Sequence, residues 1–370
     1  MRPDVRGEGP DALAAVLEQL EGFESAASAW EGDILPSRIH AYDPAWLDAL
    51  CQSGRYVWVR LTPAQSAMTT VKASPIALLQ RRRVGVWRSL SPASGGAVEI
   101  SGGTQRVYDA LKTHGASFFE ELVDASGLLK TQVENALAEL VAKGLANCDS
   151  FKGLRSLLVP EDKKRRYRGI NPFGIEDAGR WSLLTHSRLQ SEGNDRIGEA
   201  ESQVNMAAFE HIAGVLLRRY GVVFRALLAR ETTTPPWHEL LKTYRKLEAR
   251  GEIRGGRFIA GHFGEQFALP EAVEGLRSIR KQPNDEEICA VSAADPLNLV
   301  GILTPGPKLP ALPGNRVLYQ AGVPLAVLSG KEMRWLADPD GKDEWEIKNR
   351  LIRRQGISEI KAISSKHTAP

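Results

Sequence analysis

Apolar residues at helical spacing alternate with short β-type runs three times along the chain, and strands alone follow. The sharpest example is Pro235–Val273. Leu240, Leu241, Tyr244 and Leu247 fall at i, i+1, i+4 and i+7, one stripe of a helix. Lys242, Arg245, Lys246 and Arg250 occupy the other side at the same period. Gly251 predicts the helix end, because glycine adopts positive φ without strain. Glu252–Arg254 and Arg257–Ala260 flank Gly255-Gly256, which predicts a hairpin with a two-residue turn. A helix running into such a hairpin is the outline of a winged helix. Its basic outer face suits a phosphate backbone better than a small-molecule pocket.

Two earlier units follow the same order. In the first, Leu13–Leu20 and Ala26–Ile39 predict helices, and Asp43-Pro44 caps a third reaching Leu50. Gly54 ends it, Arg55–Leu61 predicts a strand, and Ile76–Gln80 and Val84–Arg88 continue a small sheet. In the second, Thr104–Thr113, Ser117–Asp124 and Lys130–Lys143 predict helices, and Leu145–Val159 a hairpin. Lys130, Thr131 and Gln132 open the third of these helices, where a helix-turn-helix approaches base edges. The same helix could instead pack on protein. Lys152 and Arg155 fall near the expected hairpin tip, placed to meet phosphate. The third unit adds a helix from Glu199 to Tyr220 and a short one over Phe224–Ala229. Arg218 and Arg219 there suit either a helix dipole or DNA. Beyond Glu286, Ile288–Val291, Leu299–Leu303, Arg316–Gln320 and Leu325–Leu328 predict strands, with Ala321-Gly322 as a turn.

The expected class is therefore α+β: tandem winged-helix domains followed by a small β-barrel-like or β-sheet unit. The expected boundaries are 11–90, 101–160, a basic linker at 161–178, 199–275, the β unit at 284–336 and a charged tail at 337–370.

Bulk properties fit a soluble globular chain of several domains: 370 residues, 42% hydrophobic and 25% charged. No run reaches membrane-spanning length and Met1–Pro10 lacks a signal-peptide core, so the expected compartment is the cytoplasm. Cys51, Cys148 and Cys289 are far apart and suggest neither disulfides nor a zinc site. A net charge of +3 is uninformative alone, but its distribution is not. Met1–Arg60 holds ten acidic and five basic residues, whereas Phe151–Gln190 holds nine basic and four acidic. The run Lys163-Lys164-Arg165-Arg166-Tyr167-Arg168 is either a solvated linker or an electrostatic strap.

Several segments together resemble one family. They include Trp30-Glu31, Ile34-Leu35-Pro36-Ser37-Arg38, Tyr42-Asp43-Pro44-Ala45-Trp46-Leu47 and Ala73-Ser74-Pro75-Ile76-Ala77-Leu78. Gly179–Leu184, Asp295–Gly301 and Leu312–Val317 continue the series beside Pro235–Val273. In order and spacing they resemble the C-terminal region of Lhr, the large helicase-related protein of bacterial DNA repair, from about Leu13 to Trp335. The resemblance implies a DNA-binding region of a repair helicase. The motor is missing from this sequence: no Gly-x-x-x-x-Gly-Lys-Ser/Thr loop is present, and Asp285-Glu286-Glu287 continues into Ile288-Cys289 rather than a motor box. ATP hydrolysis is not expected, nor is any cofactor or metal.

Asp295-Pro296-Leu297-Asn298 is also similar to a segment of the AlkZ/YcaQ-type winged-helix DNA glycosylases. The alternative function is thus excision of a damaged or deaminated base, with Asp295 as the catalytic acid to test. The paired-glutamine signature of those enzymes is absent. A third reading is a scaffold that oligomerises or docks on a separate Lhr motor. The expected partner is DNA, single-stranded or forked, and no membrane. The expected contacts are Lys242, Arg245, Lys246, Arg254 and Arg257, then Lys130, Thr131, Gln132, Lys152 and Arg155.

Overall fold

The computed structural model describes residues 6–62, 70–90, 99–159, 174–184, 197–282, 288–337 and 351, with 197–205 described by backbone alone. The Lys163–Arg168 run and most of the expected tail lie outside those residues.

Three times the chain follows one path: helix, strand, two helical segments, strand, strand. In each sheet the last strand lies in the middle and all pairings are antiparallel. The first unit comprises the Gly9–Gln19 helix, β1 (Ser25–Ala26), a helical segment over 27–34, the Pro44–Gln52 helix, β2 (Tyr56–Val59) and β3 (Pro75–Gln80), in sheet order β1-β3-β2. The second has helices Gly102–His114, Phe119–Ser126 and Lys130–Ala142, then β4 (Ala146–Cys148) and β5 (Trp181–Leu183). Ser117 bridges Trp181 and stands in for its first strand. The third has the Ile197–Tyr220 helix, β6 (Val222–Phe224), a 3-10 segment Arg225–Arg230, the Trp237–Ala249 helix, β7 (Arg254–Gly256) and β8 (Gln266–Ala268), in order β6-β8-β7. This is winged-helix topology in triplicate, and the protein is α+β as expected.

Local chemistry explains the junctions. The Asp43 carboxylate accepts the Ala45 N–H at 2.9 Å ahead of Pro44, and Gly54 at φ +75° releases the chain into β2. Gly127 at φ +62° makes the turn between the last two helices of the second unit. The Gln132 carboxamide accepts the Leu129 N–H at 3.0 Å, closing that helix start.

Four expectations fail. Val84–Arg88 is a helix, Val84–Ser89, because its Trp87 is buried with the indole N–H donating to Glu21 at 2.8 Å. Leu145–Val159 is not a hairpin. Ser150 caps a helix over Phe151–Leu158, and β4 pairs instead with the distant β5. Gly255-Gly256 is not a turn: both lie in β7 opposite Phe267 and Gln266, and residues 257–265 form the wing. The Glu248 carboxylate accepts the Gly255 N–H and lies where a Cβ at that position would sit, so a larger residue there would displace it. Leu299–Leu303 is turn, and Glu332–Trp335 supplies the fourth strand of the β unit.

That unit contains β9 (Ile288–Ser292), β10 (Arg316–Gln320), β11 (Val323–Ser329) and β12 (Glu332–Trp335), an open antiparallel sheet in order β12-β11-β10-β9. It is a sheet and not a closed barrel. Ala321 and Gly322, at φ +50° and +77°, make the β10–β11 turn. The Pro270–Lys281 helix after the third wing was not anticipated. Among the described residues no helix is long and apolar enough to cross a membrane.

The units are not beads on a string. Tyr56, Trp58, Ile76 and Leu78 face a core shared by the first and second units. Their alternates Val57, Val59, Ala77 and Leu79 face a core shared with the third. At the seam Gly22, at φ +77°, lets the chain pass under Trp87, where a Cβ would lie 2.3 Å from the indole. Gly22→Ala should therefore destabilise the fold by about 3 kcal/mol through left-handed strain and overpacking. Gly85→Ala, which meets open space, is the control. Denaturant midpoints check this, and equal midpoints for the two variants would contradict the packing described.

Candidate nucleic-acid interface

The third helix of a winged helix is the element offered to a groove, and the three equivalents here differ sharply in charge and exposure. The first, Pro44–Gln52, carries Asp48 and neither lysine nor arginine. The Phe151–Leu158 helix packs against it. Asp48 accepts the Lys152 backbone N–H at 2.6 Å and the Arg155 guanidinium at 3.0 Å. Arg155 also binds both oxygens of Glu31, at 2.7 and 2.8 Å, and its side chain is only 16% exposed. Burial pulls this guanidinium down, but Glu31 and Asp48 outweigh it and hold it above its ordinary value. Arg155 is an internal strut between units, and the expected hairpin tip that would have carried it to phosphate does not form.

The second equivalent, Lys130–Ala142, has an exposed start, with Lys130, Thr131 and Gln132 all at the surface. Lys130 bridges Glu120 at 2.5 Å and Glu176 at 3.0 Å. Hydrogen bonds to those two carboxylates hold its ammonium above the usual lysine range. Gln132 is engaged by its own helix cap. With two carboxylates to one ammonium, the charge at this start is not basic.

The third equivalent, Trp237–Ala249, buries Leu240, Tyr244 and Leu247 and exposes Lys242, Arg245 and Lys246. Trp237 packs 6.3 Å from Tyr244, which stacks on Phe267 at 5.1 Å, so the helix is set rigidly on its sheet. Lys242 touches Glu239 at 3.0 Å, Arg245 forms a two-pronged pair with Glu265 of the wing at 3.0 and 2.9 Å, and Lys246 lies against the Met206 sulfur. These are solvent-exposed pairs, weak and screened by salt. Arg254 on β7 and Arg257 on the wing are exposed, with no ion pair among the described residues. The structure thus leaves Lys242, Arg245 and Lys246 exposed on the helix and Arg254 and Arg257 exposed on the strand and wing of the same unit, with Lys130–Gln132 and Lys152–Arg155 on elements of the second unit.

Arg218 and Arg219 part company. Arg218 is exposed, whereas Arg219 is buried, paired with Glu231 and placed over the Phe23 ring at 5.4 Å. Asp295 is also buried. Arg38 grips both of its carboxylate oxygens, the Nη2–Oδ1 bond measuring 2.9 Å, and Asp295 Oδ1 accepts the Leu297 N–H at 2.9 Å. A nearby hollow of about 380 Å³ is lined by Leu297, Leu299, Leu303, Cys289 and Tyr319, and the Tyr319 hydroxyl donates to the Leu297 carbonyl. Such a wall offers few free polar groups to a base edge. Burial pushes the Cys148 thiol up to about 12 and raises that of Cys51 as well, so both are inert thiols. Among the described residues no group of three or more His, Cys, Asp or Glu could hold a metal ion.

Three helix–strand–helix–helix–strand–strand units, one with a free basic helix and wing, define a winged-helix protein. Residues 202–288 and 1–81 each match a winged-helix domain of the large helicase-related protein, the fourth and the third of that protein respectively. The chain is similar to the Lhr helicase/uracil glycosylase of Escherichia coli (strain K12), 28% identical over 381 residues, covering 93% of this chain and 23% of that protein. It is equally similar, 28% identical over 366 residues, to the Lhr helicase/probable uracil glycosylase of Mycolicibacterium smegmatis, covering 90% of this chain and 22% of that protein. The chain resembles the C-terminal region of Lhr and spans less than a quarter of the length of these curated relatives.

Sequence reasoning missed the Arg38–Asp295 strut, because its partners lie 257 residues apart and nothing local marks them. Asp295→Asn should cost about 3 kcal/mol by leaving Arg38 buried and half-paired. Thermal or denaturant unfolding checks this, and an unaltered midpoint would remove the structural role.

Proposed function

We infer that this chain binds nucleic acid, DNA in single-stranded or forked form, through the exposed helix and wing of its third winged-helix unit. One observation carries the reading. Of three topologically equivalent helices, the first has one aspartate, engaged by the next unit, and no lysine or arginine, the second has one lysine against two glutamates, and the third is exposed with three basic residues against two glutamates. Lys242, Arg245, Lys246, Arg254 and Arg257 would contact phosphates, and sequence specificity would be slight because backbone contacts carry no base information. The Lhr-type domains support this role. In the relatives such a region accompanies a helicase, and here it would hold the strand on which that motor works.

Charge reversal at Lys242, Arg245 and Lys246 together should weaken binding about a hundredfold or more and lower the slope of log K against log salt by about 2–3. Fluorescence anisotropy with labelled single-stranded, forked and duplex oligonucleotides measures both quantities. Reversal of Lys130 alone should change little. Wild-type affinity in a folded triple variant would sink the site.

A second reading is supported by the name that both relatives share: removal of uracil from DNA. Asp295 could serve such chemistry only after release from Arg38, so it would act here through the fold. Incubation with a uracil-containing oligonucleotide followed by alkaline cleavage tests the activity. A strand break that depends on this protein would establish excision, and its absence would leave binding as the function.

A further inference from the structure

The wing at 257–265 is a built object whose outermost side chain is apolar. Phe263 is 97% exposed, the largest exposure among the big hydrophobic residues described. The loop beneath it is firmly held. Gln266, itself fully buried, accepts the Phe258 and Ile259 N–H groups at 2.8 Å each and donates to the Ile259 and His262 carbonyls at 2.9 and 3.3 Å. The His262 ring lies 4.7 Å from that of Phe224, and Phe258 and Ile259 turn inward onto the core. Gly261 and Gly264, at φ +78° and +93°, bend the chain on either side of Phe263. Arg245 of the helix holds the far limb through Glu265. Two of the three large apolar side chains of the wing are packed; the third is presented to solvent by a loop whose backbone is tied down on both sides.

We propose that Phe263 is a stacking platform for an unpaired base of single-stranded nucleic acid. The proposal rests on the nucleic-acid reading above and adds to it the residue that tells single strands from duplex. An aromatic ring beside cations is the composition of a single-strand site, because the ring takes the face of a base while the cations track the phosphates. Arg254 and Arg257 supply the cations on the same strand and wing. A base inside a duplex has both faces covered, and reaching it requires unstacking; an unpaired base has a face free. The charge already on this surface favours a polyanion over an apolar protein partner.

The test uses the full chain with a labelled oligothymidylate, the same strand carrying 2-aminopurine, and a blunt duplex. Phe263→Ala should lower single-strand affinity about tenfold, leave duplex affinity within twofold and abolish the change in 2-aminopurine fluorescence on binding. Phe263→Trp should retain all three wild-type properties. The triple reversal of Lys242, Arg245 and Lys246 should weaken both substrates. Wild-type single-strand affinity in Phe263→Ala, while the triple variant is impaired, overturns the stacking role and leaves the charged interface standing. A wild-type chain that binds neither substrate removes the interface and this proposal with it. Loss of self-association in Phe263→Ala, seen by sedimentation with nucleic-acid affinity unchanged, also overturns it in favour of a contact between copies.

Discussion

The sheet of β2 and β3 is buried on both faces, and the arrangement of the whole chain depends on that. Alternation in a strand sends successive side chains to opposite sides. Here both sides are apolar: Tyr56 and Trp58 go one way, Val57 and Val59 the other. Trp58 meets Trp181 edge-on at 6.5 Å and donates its indole N–H to the Ser150 carbonyl at 2.9 Å, binding the second unit to the first. Val57, Val59, Ala77 and Leu79 are covered by the third unit. A one-residue slip of register would exchange the two faces and present tryptophan to a site shaped for valine. One short sheet thus fixes where both neighbouring units sit, and the three winged-helix units pool their apolar residues in two shared cores, whereas the β unit has small clusters of its own.

The seam created by this sharing is closed with charge. The guanidiniums of Arg219 and Arg230 both lie over the Phe23 ring, at 5.4 and 5.1 Å. Glu24 accepts the Leu61 and Thr62 N–H groups and the Thr232 hydroxyl, so one carboxylate joins the first and third units. Arg38 with Asp295, and Arg316 with Asp33 at 2.9 Å, attach the β unit to the first. Breaking a buried pair strands the other charge at a cost of about 3–5 kcal/mol. Loss of an activity on replacing Asp295 would therefore follow from collapse of this seam without any role in bond making.

Much of the fold was legible because it is written locally. Asp43-Pro44, Gly54, Gly127 and Gly251 mark helix ends by capping and by positive φ, and Ala321-Gly322 marks its hairpin. The failures arise where a partner outside the segment decides the outcome, some of them far away in sequence and some near. Val84–Arg88 has the composition of a strand, yet Glu21, more than sixty residues away in sequence, gives Trp87 a partner that fixes it as a helix. Gly255-Gly256 has the composition of a turn, yet both pair with β8, and the Gly255 N–H is held by the Glu248 carboxylate. Arg155 carries the charge of a phosphate ligand, yet Glu31 and Asp48 claim it from another unit. Basic residues were legible as a set; which of them face solvent was not, because burial is decided by pairs distant in sequence. Phe263 was passed over for the converse reason: an isolated phenylalanine reads as core, and only the placed wing shows it outside.

The same division separates struts from ligands on physical grounds. Arg155 and Arg219 have left water and are matched by carboxylates within the fold, so an incoming phosphate would have to displace a desolvated partner. Lys242 and Arg245 remain hydrated, and Glu239 and Glu265 hold them by exposed pairs that salt screens. A phosphate chain can exchange with those carboxylates at little cost while releasing its own counterions. Glu265 adds a further consequence, since it pins Arg245 to the limb that carries Phe263. If the proposed contacts form, a phosphate that drew Arg245 from Glu265 would release one tie of that limb and leave those of Gln266, so charge contact and base stacking would be linked through one exposed ion pair.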